Sequence, residues 1–250
     1  MTLLLNHSII ISGASSGIGA AAAEIFAKQG ANLVLVARDE TGLQETAAKV
    51  TDDGGQAIIC AGDICDPQTH EHSVDRAMKS FGRLDGAFNN AGTVGATSPL
   101  AEISLETFQN VLTTNLTGAF LAAKNQIPAM IESGGGSIVF TGSFVGVSTG
   151  LPTMGAYATA KSGLLGLVRS ITADYATQGI RSTALIPGGT HTKMAGNADN
   201  REWAASLHAM KRLANPDEIA QAALFLLSNL SSFVSGSTLW ADGGNAAVKV

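Results

Sequence analysis

Cysteine is nearly absent from this 250-residue chain: Cys60 and Cys65 are the only two. Their C-x4-C spacing has no accompanying ligand pair, so neither zinc nor any other metal centre is expected. Such thiols are expected to stay reduced, as in a cytoplasmic protein. Runs of basic residues are missing too, and with a formal net charge of −5 a nucleic-acid partner is not expected. Nowhere do 18 apolar residues follow one another, so no membrane span is expected. Residues 1–7 lack the basic start of a secretory signal and lead straight into an apolar strand. Repeats, low-complexity segments and linkers are absent as well. Charge itself is scarce: 14% of residues are charged against 45% hydrophobic, which implies more buried surface than one monomer requires.

What the chain does contain is a regular alternation. Apolar runs at 8–11, 32–36, 57–60, 86–88, 137–141, 182–186 and 238–240 read as strands. Helical stretches fall between them, near 17–29, 39–51, 67–81, 104–131, 155–177 and 216–228. This rhythm, over a length that suits one domain, predicts a single-domain α/β fold across 1–250. Its sheet is expected to be parallel and doubly wound, of Rossmann type, with helices on both faces. Ligands of such sheets bind beyond the carboxyl ends of the strands. Residues 190–211 break the rhythm, mixing His191, Lys193, Met194, Trp203, His208 and Met210 with small polar residues. An insert of that length suits a substrate lid. His191 reads as a solvated loop residue, and so do His70 and His72 as surface residues.

Two stretches carry chemistry. Ser8-Ile9-Ile10-Ile11 runs into Ser12-Gly13-Ala14-Ser15-Ser16-Gly17-Ile18-Gly19 and then a strong helix former from Ala20 onward. Strand, glycine-rich turn and helix make a dinucleotide site, because glycine lets the backbone approach a pyrophosphate and a helix N-terminus favours an anion. The spacing here is GxxxGxG rather than GxGxxG. Far along the chain, Tyr157 and Lys161 stand four residues apart, on one face of a helix. An ammonium beside a phenol favours phenolate and lowers a pKa that is ordinarily about 10, which gives an acid/base group near neutral pH. Ser143 precedes Tyr157 by 14 residues.

With Asn89-Asn90-Ala91-Gly92, Asn115, Pro187-Gly188 and Asp242-Gly243-Gly244, these motifs resemble the short-chain dehydrogenase/reductase family in its classical subfamily, over practically the whole chain. The resemblance implies an NAD(P)-dependent oxidoreductase that moves a hydride reversibly between a nicotinamide and an alcohol or ketone. It implies Tyr157 as the proton donor, Ser143 as a hydrogen-bond donor to the reacting oxygen, and Lys161 as a partner of both the phenol and the cofactor ribose. Asn115 would hold a water that links the lysine to solvent. Tyr157 and Lys161 thus count among the cofactor contacts as well. The same resemblance sets Gly13, Ser15, Ser16, Gly17, Ile18 and Gly19 at the pyrophosphate, and Asp63 and Ile64 at the adenine. Asn90, Ala91 and Gly92 lie along the ribose, while Pro187, Gly188, Thr190 and Thr192 meet the nicotinamide carboxamide and phosphate. Two departures stand out. Ser12 replaces the usual threonine, keeping the hydroxyl, and the interval from Ser143 to Tyr157 is one residue longer than the commonest one. The longer interval makes Ser148 a competing candidate for the serine.

Cofactor choice turns on the end of the second strand, where NAD-specific sites place a carboxylate for the ribose 2′-hydroxyl. The chain has Ala37 in that position, followed by Arg38, whose guanidinium suits a 2′-phosphate. Asp39, one residue further, keeps NAD(H) open; NADP(H) is favoured. The loops 93–99, 144–154 and 190–211 carry few charges and suit a medium-sized apolar alcohol or ketone, with a 3-oxoacyl thioester or a sugar as alternatives. A catalytically silent dinucleotide-binding sensor would have lost the tyrosine or lysine, and an epimerase or dehydratase would have a larger C-terminal region. The stretches 108–130 and 156–171 carry only Lys124, and only Lys161 and Arg169, as charged residues. Helices so apolar are buried on both sides, which predicts a homo-oligomer, most simply a homotetramer. Ala158, Ser162, Gly163 and Gly166 would admit a partner helix, and the strand near Leu239 and Trp240 would form a second interface.

Overall fold

The structure is a computed structural model that describes residues 2–248, so the outermost residues of the 1–250 reading, 1 and 249–250, lie outside the described residues. The first half runs β1 (Ser8–Ser12), α1 (Gly17–Lys28), β2 (Asn32–Ala37), α2 (Glu40–Asp52), β3 (Gln56–Ala61), α3 (Pro67–Phe81), β4 (Gly86–Asn89) and α4 (Leu105–Leu112). A π-helical turn (Thr113–Thr117) follows, then α5 (Gly118–Glu132), β5 (Gly136–Thr141) and the short α6 (Phe144–Val147). The chain ends with α7 (Gly155–Tyr175), β6 (Ile180–Pro187), α8 (Ala198–Ser206), α9 (Pro216–Leu227) and β7 (Ser237–Ala241).

Among the described residues, seven strands lie parallel in one sheet of order β3-β2-β1-β4-β5-β6-β7. The winding reverses between β1 and β4, which pair from Ile9↔Gly86 to Ser12↔Asn89. Beyond those two carboxyl ends the flanking connections diverge and leave a crevice for a ligand. Helices cover both faces, which is why the strands read as unbroken apolar runs rather than alternating ones. On one face Ile9 and Ile11 share a core with Phe26 of α1 and Leu224 and Leu227 of α9. On the other, Ile10 shares a core with Met130 of α5 and with Leu164 and Val168 of α7. Local signals fix the helix ends. Asp66 caps α3 ahead of Pro67, left-handed Gly82 closes it, and Asn215 and Glu218 form a capping box on α9.

The expected helix over 104–131 runs without a break through α4, the π turn and α5, and the π turn widens the register around Asn115. The segment 190–211 holds a 3-10 turn (Lys193–Ala195) and α8, which has no buried residue and rides on the surface. One expectation, an α7 whose small residues all stand open to a partner helix, is corrected. Small residues of α7 are mostly used within the chain. Gly163 faces Leu116, Ala158 lies against Gly146, and Ser162 donates to the Gly146 carbonyl at 2.5 Å. Of the three glycines of α7, Gly155, Gly163 and Gly166, only Gly166 has open space where a side chain would stand.

Candidate active site

The glycines after β1 differ in what they do. Gly13 and Gly17 hold φ of +71° and +57°, left-handed values that cost other residues. A Cβ on Gly13 would crowd Asn90 and Ala91, and one on Gly17 would meet the Thr192 methyl at 3.0 Å. Gly19 would drive its Cβ into the Gly13 carbonyl, so only glycine lets α1 start so close to the turn. Ser16 gives α1 no side-chain cap and its first turn has no acidic residue, so the first N–H groups of the helix are left without a side-chain partner.

Ser12 shows why a hydroxyl is required at that position. Its Oγ accepts from the N–H groups of Asn90 and Ala91, both at 3.1 Å, and serine meets that need as threonine would. Asn90 returns a bond to the Ser12 carbonyl and accepts from the Thr141 hydroxyl at 3.2 Å, which ties β1, β4 and β5 together at their tips. Below them, buried Asn89 and Gln126 exchange two amide bonds of 2.9 and 3.0 Å. Gln126 was not singled out from sequence, because a lone glutamine in an apolar helix gives no sign of its partner.

Asn115 is 2% exposed and sits in the π turn. Its side-chain amide donates to the carbonyls of Val111 (2.9 Å) and Thr93 (2.8 Å), and its Oδ1 accepts from the Thr93 N–H at 3.1 Å. A residue that weakens ordinary helices thus supplies a donor where the widened register relaxes the backbone ladder. A Cβ on Gly92 would meet Asn115 Oδ1 at 2.7 Å and Lys161 Nζ at 3.3 Å, so glycine there keeps the space between them open.

Lys161 is 3% exposed and donates to the Thr141 carbonyl at 2.7 Å, with its Nζ 5.6 Å from the centre of the Tyr157 ring. Burial brings its pKa down to about 8. Tyr157 is half-buried. Burial pushes its phenol above the ordinary value, and a hydrogen bond with the Ser143 hydroxyl draws it part of the way back. The expected lowering by Lys161 is therefore corrected: desolvation wins at Tyr157, while the lysine reaches past the ring to β5, where burial lowers its own pKa. Ser143 is buried, and its Oγ caps α6 by accepting from the Val145 N–H at 3.1 Å. Ser148 is exposed and its hydroxyl donates to the Phe144 carbonyl, so Ser143 alone meets the phenol. Between Ser143 and Tyr157, Gly146 holds a φ of +91° and packs its backbone against Ala158.

At the far side of the crevice Asp63 accepts from the Cys65 N–H at 2.9 Å, and that bond chiefly holds its carboxyl below the ordinary value. Arg38 extends beyond β2 with its side chain 80% exposed, 3.6 Å from Asp63. Asp39 is committed to α2, whose N-terminus it caps by accepting from the Gly42 N–H at 3.1 Å. Ile64 is half-buried and its carbonyl faces the His70 ring. Beyond β6, buried Thr190 donates to the Gly188 carbonyl at 3.0 Å, and His191 is exposed, as expected.

One histidine departs from its surface reading. His72 is exposed, but His70 is 5% exposed, with Nε2 2.8 Å from the Ile64 carbonyl, and burial holds its pKa below the ordinary value. It lines, with Asn89, Asn115 and Lys161, a cavity of about 10 Å³. The sign was there in Thr69, Ser73 and Ala77, small residues that put His70 on the inner face of α3. His208 is 1% exposed. Cys60 is buried, Cys65 half-buried, and both are free, with burial raising each thiol's pKa. Among the described residues no three His, Cys, Asp or Glu side chains group as a metal site, and no helix is long and apolar enough to cross a membrane.

A glycine turn at the switch point of a doubly wound sheet, facing a phenol, a hydroxyl and a buried ammonium, defines a dinucleotide-dependent oxidoreductase. Comparisons with known proteins agree. A family model described as enoyl-(acyl carrier protein) reductase matches residues 13–246. The chain is 43% identical, over 255 aligned positions, to 2,5-dichloro-2,5-cyclohexadiene-1,4-diol dehydrogenase of Sphingobium indicum, covering 99% of this chain and 100% of that one. It is 34% identical to cyclohexanol dehydrogenase of an Acinetobacter strain, covering 95% and 94%. Its fold matches carveol dehydrogenase from Mycobacterium avium, solved in complex with NAD, with a TM-score of 0.94 at 28% identity over 98% and 99% of the two chains. The protein belongs to the short-chain dehydrogenase/reductase family and is an NAD(P)-dependent oxidoreductase acting on CH–OH groups.

Proposed function

We propose that the enzyme interconverts a ring alcohol and its ketone, with Tyr157 as the acid/base group and NADP(H) as the favoured cofactor. The observation that carries this reading is the meeting of the Tyr157 phenol, the Ser143 hydroxyl and the Lys161 ammonium beyond β5, beside the glycine turn. When bound, the nicotinamide accepts or supplies the hydride. The chain fits that group: Gly13, Gly17 and Gly19 leave a cradle that any side chain would fill, at a helix N-terminus suited to the pyrophosphate. Ser15, Ser16 and Ile18 complete that turn, Asn90, Ala91 and Gly92 border the ribose, and Asp63 and Ile64 border the adenine. Pro187, Gly188, Thr190 and Thr192 hold the carboxamide and phosphate.

In reduction Tyr157 gives its proton to the substrate oxygen, and in oxidation it takes one. Ser143 donates a hydrogen bond to the same oxygen, where charge grows in the transition state. Lys161, anchored on Thr141, holds the ribose hydroxyls and keeps positive charge near the phenol. Asn115 fixes the turn beside it and, through its remaining acceptor capacity, a water on the way to solvent.

Half-buried Val94, Leu151 and Met154 support a compact apolar substrate, and α8 with Met194 and Trp203, 56% and 53% exposed, reads as the lid over it. Relatives named for cyclohexanol and a cyclohexadienediol point to a six-membered carbocyclic alcohol. A panel of cyclohexanols, cyclic diols, a 3-oxoacyl thioester and a sugar, each assayed with both cofactors, tests this. Turnover of the thioester or sugar alone overturns it.

Arg38 supports NADP(H), because Asp39 is already spent as a cap. Arg38→Ala is expected to weaken NADPH binding roughly tenfold to a hundredfold, the range of a charge-assisted contact, with little change for NADH. Tighter binding of NADH than NADPH by the unmutated protein would reverse the assignment.

A cytoplasmic homotetramer completes the reading. Phe233, Leu230, Phe120 and Trp240 are apolar yet 103%, 64%, 49% and 38% exposed, and Gly166 leaves open space on α7. Gly166→Arg is expected to halve the assembly in light scattering. A stable monomer of the unmutated protein at micromolar concentration refutes it.

A further inference from the structure

His208 touches neither the phenol nor the glycine turn, yet it is among the most buried polar side chains, at 1% exposure. Both ring nitrogens are engaged. Nε2 lies 2.9 Å from the Gly189 N–H and Nδ1 lies 2.7 Å from the Ala204 carbonyl. A backbone N–H only donates, so Nε2 accepts and Nδ1 carries the proton, which fixes one neutral tautomer. The ring stands edge-on to Phe144, the neighbour of Ser143, with centroids 6.1 Å apart at 76°. The glycines of the loop after β6 are shaped around it: a Cβ on Gly188 would meet His208 Nε2 at 2.5 Å, and one on Gly189 would meet its Cε1 at 3.1 Å. Gly243, after β7, closes over the other edge, where a Cβ would lie 3.5 Å from His208 Cδ2.

We propose that His208 is a positioning residue: it locks the loop after β6 to the C-terminal end of α8, so that the cofactor segment and the substrate lid are set by one imidazole. This rests on the reading above, in which that loop holds the nicotinamide and α8 covers the substrate. Its two bonds serve different ligands. The bond to Gly189 fixes the backbone just before Thr190 and Thr192. The bond to Ala204 fixes the helix that carries Trp203.

The two bonds can be separated by substitution. Glutamine places an acceptor where Nε2 stands, and asparagine places a donor where Nδ1 stands. His208→Gln is expected to leave NADPH and NADH affinity within about threefold while raising the KM of a ring alcohol. His208→Asn is expected to do the opposite, weakening cofactor binding about three- to tenfold, the equivalent of one neutral hydrogen bond. A merely structural residue would move both parameters together in both variants. A cavity of about 190 Å³ opens beside the ring between Met210, Arg212 and Ile219, which gives a small molecule access. Added imidazole is therefore expected to restore part of the lost kcat/KM in His208→Ala, but not in Tyr157→Phe. Cofactor affinity is read by the fluorescence of the reduced nicotinamide, and circular dichroism checks that each variant is folded. Binding of neither cofactor by the unmutated protein overturns the functional reading, and this inference with it. Normal binding there, with equal effects of Gln and Asn on both parameters and no imidazole rescue, overturns this inference alone.

Discussion

Tyr157→Phe is expected to lower turnover by at least about 100-fold in both directions, the lower end of what a positioned acid/base group contributes. Phenylalanine keeps the ring that packs beside Lys161 and removes only the hydroxyl, so cofactor affinity should change little. The pH dependence follows from the sign of the phenol's shift. Burial holds the Tyr157 pKa above its ordinary value of 10.0, so the proton is in place through the neutral range. Ketone reduction uses that proton and should persist into mildly alkaline solution. Alcohol oxidation needs the phenolate, so its rate should climb with pH across the alkaline range. The Phe variant should lose that slope as well as the rate. Steady-state rates in both directions from pH 6 to pH 10, beside a fluorescence titration of the reduced cofactor, make the measurement. Near-normal turnover, or an unchanged slope, removes Tyr157 from the mechanism.

The sheet was legible because its strands are buried on both faces. Runs such as Ile9-Ile10-Ile11 can belong to little else when helices follow them at regular intervals. The glycine turn was legible for a related reason, since close backbone approach admits no substitute at Gly13, Gly17 or Gly19. What stayed hidden depended on contacts distant in sequence. The π turn at 113–117 is held by Asn115 bonding to Thr93, and no helix propensity reports that loop's position. The four-residue interval put Lys161 near Tyr157 but said nothing of Thr141, the carbonyl the lysine reaches. Without that bond and the burial around it, the direction of the tyrosine shift came out reversed. His70 was placed in solvent on its spacing from His72, although its neighbours Thr69 and Ser73 are small enough to face inward. His208 offered no pattern at all: its fit depends on Gly188, Gly189 and Gly243, which come together only in the folded chain.

Lys161→Met is expected to abolish most activity, by about 100-fold or more, and to weaken cofactor binding, yet to leave the protein no less stable at neutral pH. Burial takes the lysine from 10.5 to about 8, a difference worth roughly 3 kcal/mol of folding free energy. The sign is set by which state loses its proton first. Below pH 8 both folded and unfolded chains carry the charge, and the folded one bears the whole desolvation cost. Between about pH 8 and 10.5 the folded lysine is neutral while the unfolded one is still charged, so folding becomes more favourable as pH rises. Methionine has similar length and no charge, and so escapes this cost at every pH. It leaves the Thr141 carbonyl without its donor, a loss of about 1–3 kcal/mol that does not vary with pH. The two effects nearly cancel at pH 7. By pH 10 the unmutated protein has recovered most of its deficit, and the variant should then be the less stable of the two. Thermal midpoints of both proteins across pH 6 to pH 10 read this crossing directly. A difference that stays constant over that range means that Lys161 is charged in the folded protein throughout, and that burial does not tune it.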